Sequence, residues 1–264
     1  MKKVGWVLHM ANALVNSVGV SVALSLSLFV WRTLYPLSDL AVVALAPLAA
    51  FLFVGSFSNS KAANLASVKC AVKGSSPLVW LIRGRIRALL GALALIFVAV
   101  PVLGGHALTA TNLEFLLIAL LSFVVSMLFA DAEVKLLNHL RRPFARIAAI
   151  SLATLIGMLL FAPLLAWIDW NFTPKPAAIR SADFWEAISL GFSHLPERRG
   201  WVAELLAAFY ALEYAKLWIA VQEEAPKWLT VLYSIDAGLI CFVAARAAAV
   251  VMSMVQVKKG SFDE

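Results

Sequence analysis

A chain of 264 residues, 62% of them hydrophobic and 14% charged, with a mean hydropathy of +0.89, falls well short of the roughly 25% charged residues of a soluble globular domain. This excludes an ordinary cytosolic enzyme, a disordered tail and a disulfide-stapled secreted domain, and it places the chain in a bilayer as an all-α polytopic helical bundle. The formal charge of +7 does not point to nucleic acid, because Lys and Arg accumulate in the cytoplasmic loops of membrane proteins.

The start, Met1-Lys2-Lys3, has the charge of a signal-peptide n-region, but the apolar stretch behind it runs to Trp31. That exceeds the usual h-region of about 7 to 15 residues, so an uncleaved first span is expected. A crossing helix needs about 20 mostly apolar residues. Residues 11–30, 40–57, 88–103, 115–130 and 147–168 approach that length without a charged side chain. The third and fourth are short and require their flanks, or an adjustment of the bilayer, to complete the crossing. Together residues 1–168 form a five-span membrane region with basic cytoplasmic loops.

Residues 169–227 read as an outer, Trp-rich interfacial helical region carrying Trp170, Trp185, Trp201 and Trp218, because Trp favours headgroup depth. Pro174 and Pro176 break the preceding helix. Residues 201–221 are long enough to span but carry Glu204, Glu213 and Lys216. Residues 228–264 form a last span and a short tail. No repeat, heptad run or low-complexity tract is present.

Basic residues set the orientation. Lys61, Lys69, Lys73, Arg83, Arg85 and Arg87 lie between the second and third spans without an acid among them. Lys135, Arg141, Arg142 and Arg146 follow the fourth span, and Lys2 and Lys3 precede the first. All three segments fit an N-in start. Lys258 and Lys259 then favour six spans over seven, the alternative, since seven would carry them outside. Sorted this way, the inner segments hold 14 Lys and Arg against 4 acids and the outer region 7 against 10. The net charge is therefore mainly an orientation signal, and the compact basic loops point to a bacterial cytoplasmic membrane.

Ionisable residues in apolar surroundings are the functional lead, because a charge at mid-bilayer costs about 2.5 to 3.5 kcal/mol on insertion scales. Asp236 and Arg246 lie in the last span; ten residues, about 15 Å, separate them along one helix, so they cannot pair. Arg246 is expected to snorkel, while Asp236 needs a partner on another helix, a polar cavity or a neighbouring protomer. Glu213 and Lys216 can pair locally at i and i+3, leaving Glu204 as the more informative carboxylate. Two small-residue rows, Ser17, Ser21 and Ser25 in the first span and Ser151, Thr154 and Gly157 in the fifth, mark expected helix contacts. Pro47, Pro101 and Pro163 are candidate bends.

The four histidines are scattered, and no metal-ligand spacing, phosphate loop or nucleophile elbow occurs, so no metal, cofactor or catalytic residue is assigned. Cys70, in a basic cytoplasmic loop, and Cys241, at bilayer depth in an apolar segment, are not expected to form a disulfide. The favoured expectation is a non-enzymatic subunit or anchor of a larger membrane assembly, with the lipid bilayer and other membrane chains, or copies of itself, as partners. The alternative is a small channel or proton-coupled transporter using Asp236 and Glu204. An enzyme using Asp183, Glu186 and Glu197 beside His194 is the third reading.

Overall fold

The structure, a computed structural model, describes residues 2–71, 84–193, 200–221 and 230–260. Expectations attached to Lys73, residues 80–83, His194, Glu197 and Trp228 lie outside them. The described residues are helical, with no strand among them.

Helix α1 (Lys2–Leu34) leads through a turn into a 3-10 helix (Asp39–Leu45), capped where the Leu40 N–H donates to Ser38 Oγ at 3.2 Å, and then into α2 (Ala46–Ala71). Pro47 stands where 3-10 geometry gives way to α geometry and removes the donor that a continuous helix would need. The carbonyl of Ala44, three residues earlier, accepts instead from Ser27 Oγ at 2.7 Å. Helix α3 (Arg85–Thr109) begins after Gly84, whose φ of 65° suits glycine. Asn64 Nδ2 donates to the Gly84 carbonyl at 3.2 Å and ties this start to α2.

Helix α4 (Asn112–Leu137) opens on a capping box between Thr111 and Glu114, and α5 (Arg142–Phe172) has Pro143 in its first turn, where no donor is missed. The short α6 (Ala177–Ser181) follows the Pro174 and Pro176 break. Next come α7 (Phe184–Ser193), α8 (Trp201–Val221) and α9 (Thr230–Gly260).

Six of these helices are long and apolar enough to cross a membrane, and α8 is not one of them. The protein is thus an integral, multi-pass, all-helical bundle. The third and fourth crossings reach 25 and 26 residues, about 38 Å at 1.5 Å per residue, because their charged flanks continue the helix. Basic flanks fall together at one end of the bundle, which the positive-inside rule assigns to the cytoplasm.

The last crossing is the central one. In its apolar window 67% of residues are buried inside the protein, against 22–44% for the others, and α9 touches α1, α2, α3, α4, α5 and α8. Its alanine face makes this possible: Ala244, Ala245, Ala247, Ala248 and Ala249 are buried, and short side chains let neighbouring backbones approach. Gly157 of α5 is equally tight, since a Cβ there would collide with Val125 of α4. Ser21 Oγ donates to the Ala119 carbonyl at 2.7 Å and Trp31 Nε1 to the Gly104 carbonyl at 2.9 Å, tying α1 to α4 and α3.

Helix α8 lies across the outer ends of the bundle rather than through it. Gly200, just before it, sits against Asp39 at the start of the second crossing, and Phe209 packs on Gly105 near the end of the third. Helix α7 lies along α8, and Trp218 Nε1 donates at 2.9 Å to the Ala182 carbonyl between α6 and α7. Ile179, Tyr214 and Leu217 form the small apolar core of this outer layer.

Candidate functional site

The outer layer meets the bundle at a buried ion cluster. Lys216 of α8 is 4% exposed, and its Nζ lies 2.8 Å from Asp169 Oδ2 of α5, 2.9 Å from Glu213 Oε2 and 2.8 Å from Asp236 Oδ2 of α9. An ammonium has three protons, and three carboxylates take them. The same Nζ stands 5.5 Å from the centre of the buried Tyr233 ring, whose other neighbour is Trp170. The aromatic wall keeps water from one side of the charge and adds a cation–π attraction.

The network continues into α4. Thr173 Oγ1 lies 3.0 Å from Asp169 Oδ1 and 3.3 Å from Glu114 Oε1, and Glu114 Oε2 accepts from the Thr111 N–H at 2.6 Å. Glu114, 3% exposed, therefore serves both as a helix cap and as a link to the cluster. On the α3 side, His106 joins Glu213 and Asp236 in lining a cavity of about 60 Å³, enough for a few waters. The His106 Nε2 atom is buried without a hydrogen-bond partner among the described residues.

Burial alone would disfavour the Lys216 ammonium, but Glu213, Asp169 and Asp236 outweigh that cost and hold its pKa above the ordinary value. Burial pushes the Glu213 carboxyl up to about 7; Lys216 opposes the rise and Asp169 adds to it. Three carboxylates thus share one ammonium, and burial brings Glu213 into the range where it exchanges a proton near neutrality. Chemically it can hold the outer layer to α5 and α9, and through Thr173 to α4, or bind and release a proton.

The structure places the sequence candidates unevenly. Asp236, which needed a partner beyond its own helix, meets Lys216. Glu213 and Lys216 do pair at i and i+3, yet the weight that local pairing removed from Lys216 must be restored, because Asp169 and Asp236 join it. Glu204, singled out for its lack of a local partner, is exposed on α8 and is not among the carboxylates that contact Lys216. Asp169 and Glu114 were passed over because each stands at the edge of an apolar run and reads as a loop residue. The available signal was that both lie on the side to which Asp236 belongs.

Arg246 Nη1 donates to Ser151 Oγ at 3.4 Å. Ser151 is five residues, about 8 Å along α5, from Arg146, so the guanidinium is directed toward the basic end. Thr154 is buried and its Oγ1 donates to the Ile150 carbonyl of its own helix at 2.7 Å. Ser17 is fully buried, whereas Ser25 is half-buried. Asp183 and Glu186 cap α7 reciprocally: the Asp183 N–H donates to Glu186 Oε2 at 2.9 Å and the Glu186 N–H to Asp183 Oδ1 at 2.7 Å. That use explains the pair without catalysis. Cys241 is buried and free, and no group of metal-ligating side chains is gathered among the described residues.

A second buried ion pair lies at the basic end, where Arg146 Nε donates to Glu133 Oε1 at 2.8 Å. From Arg146 to Asp169 along α5 is 23 residues, about 35 Å, close to the 30 Å of a hydrocarbon core. The cluster and this ion pair therefore stand about one hydrocarbon core's thickness apart along α5. Compared with known proteins, the chain matches no family model, no curated protein and no solved structure, so any functional reading stands on this geometry.

Proposed function

We propose that the protein is a non-enzymatic subunit or anchor of a larger assembly in the bacterial cytoplasmic membrane, with the outer layer of α6, α7 and α8 as a surface offered to other membrane chains or a second copy. The observation that carries this reading is the filled centre between the two ion clusters. There the alanine face of α9 and the side chains of Leu121, Val125 and Met252 are buried. The hydroxyls of Ser122, Ser126 and Thr154 bond the carbonyls of their own helices. A centre of this kind suits a rigid scaffold better than a conduit. Extraction in a mild detergent should yield a particle larger than one chain, holding a partner or further copies. A lone chain of 28.6 kDa in its detergent shell, across several mild detergents, would overturn the reading.

A second reading, a proton-coupled transporter, is favoured by the surplus of carboxylates around Lys216 and by the small cavity beside His106. Reconstituted vesicles should then show a proton flux that Asp236→Asn and Glu213→Gln abolish. A flux unaltered by both substitutions, or none at all, removes it.

A further inference from the structure

At the basic end an open groove of about 1040 Å³ runs between α2, α3 and the first turns of α5. Its rim carries Ser60, Asn64 and Ser67 of α2 and Arg87 of α3, with the exposed Ile86 beside Arg87. Asn64 also holds Gly84, so the rim is built on a fixed start of α3. Toward the membrane centre the α3 lining turns apolar, with Leu90, Gly91 and Ala94, and Ile147 of α5 adds an apolar wall next to Arg146. Leu90 is 60% exposed, and a Cβ built on Gly91 meets nothing within 4 Å, so this half stands open toward the bilayer.

The groove therefore has a cationic end at headgroup depth and an apolar end in the hydrocarbon. Among the described residues no acid lines it, and Arg87 makes no ion pair. We propose that it is a binding site for one anionic phospholipid of the cytoplasmic leaflet, with the phosphate at Arg87 and an acyl chain along Leu90, Gly91 and Ile147. Charge sets the choice of headgroup. A guanidinium holds a phosphate in a forked pair, whereas a lining without a carboxylate leaves the cation of a zwitterionic headgroup unmatched and close to Arg87. The apolar half sets the choice of a lipid over a soluble anion. The site is independent of the role proposed for the outer layer.

The test is native mass spectrometry of the full chain released from nanodiscs that contain phosphatidylglycerol and phosphatidylethanolamine in equal amounts. The unmodified protein should retain phosphatidylglycerol preferentially, and Arg87→Gln should lower that preference about tenfold, the worth of one charge-assisted pair. Gly91→Leu keeps the charge and fills the open half; it should lower retention of both lipids, and the space around Gly91 lets the variant fold. Lys135→Gln removes the same charge from an exposed residue at this end that does not line the groove, and it should leave the preference unchanged. Four results would overturn the site: no preference in the unmodified protein, an equal loss in Lys135→Gln, full retention in Gly91→Leu, or displacement of the lipid by inorganic phosphate at millimolar concentration. Thermal unfolding of each variant in the same nanodiscs separates loss of fold from loss of lipid.

Discussion

Removing the Lys216 ammonium while keeping its surroundings would leave Asp169, Glu213 and Asp236 facing one another in a space from which water is largely excluded. Stripping one partner from a buried ion pair typically costs about 3 to 5 kcal/mol, because the remaining charge is uncompensated. Lys216→Met should therefore lower the thermal midpoint markedly in detergent. The combined variant Lys216→Met, Asp169→Asn, Asp236→Asn should recover most of the loss, since it removes two of the three stranded charges and leaves Glu213 with no like charge beside it. Tryptophan fluorescence reports the change, as Trp170 packs on the Tyr233 ring beside Lys216. A triple variant no more stable than the single one would mean that Lys216 contributes through packing alone.

Glu213 gives the cluster a pH dependence whose sign follows from its shift. Its folded pKa of about 7 lies above the ordinary 4.5, so the folded protein binds this proton more tightly than the unfolded chain does. That contribution is complete below about pH 4.5 and is lost as pH rises through 7. The thermal midpoint should fall between pH 5 and pH 8 in the unmodified protein, and the fall should shrink in Glu213→Gln. The neighbours that share the field, Lys216, Asp169, Asp236 and His106, remain in that variant, so an undiminished slope would assign the dependence to them. At this scale the sequence was a partial guide. Asp236 was legible because a carboxylate inside an apolar run is costly wherever it sits. Glu204 misled because a missing local partner counts only for a side chain that is buried, and burial is not written in local spacing.

Among the elements, the pairing of α7 with α8 depends on Gly191. A Cβ there would lie 2.7 Å from the Tyr210 carbonyl oxygen and 2.8 Å from the Ala211 Cα, and backbone atoms of a packed helix cannot yield cheaply. Gly191→Val should destabilise the outer layer by about 1 to 3 kcal/mol, as overpacking does, without disturbing the six crossings. Limited proteolysis in membranes would show it as faster cleavage within residues 177–221 and unchanged protection of the crossings. The crossings were readable in advance because lipid demands about 20 apolar residues in a row. Their true lengths were not, since charged residues such as Arg85, Glu133 and Asp169 continue the helices beyond the apolar windows. That α8 does not cross was legible by elimination, since Lys258 and Lys259 favour six crossings over seven. The side it turns inward was not legible.

For the whole molecule, six crossings carry the start of α1 and the end of α9 to the same, basic side of the bundle. A reporter fused after Glu264 should read cytoplasmic, and a periplasmic reading would require a seventh crossing and displace α8 from the outer ends. Composition and hydropathy along the chain determined the bilayer as solvent and the number of crossings, and charge set the expected direction. These are sums over neighbouring residues, and the membrane reads each segment nearly independently. Only the tertiary structure decided that the last span is the centre of the bundle, and that residues 169, 213, 216 and 236 meet at one point. The physical reason is that lipid is as apolar as the helix surfaces. Hydrophobicity therefore inserts each helix without specifying which face turns inward, and it is close packing at Gly157 and the alanines of α9, with the need to neutralise Lys216, that chooses the partners.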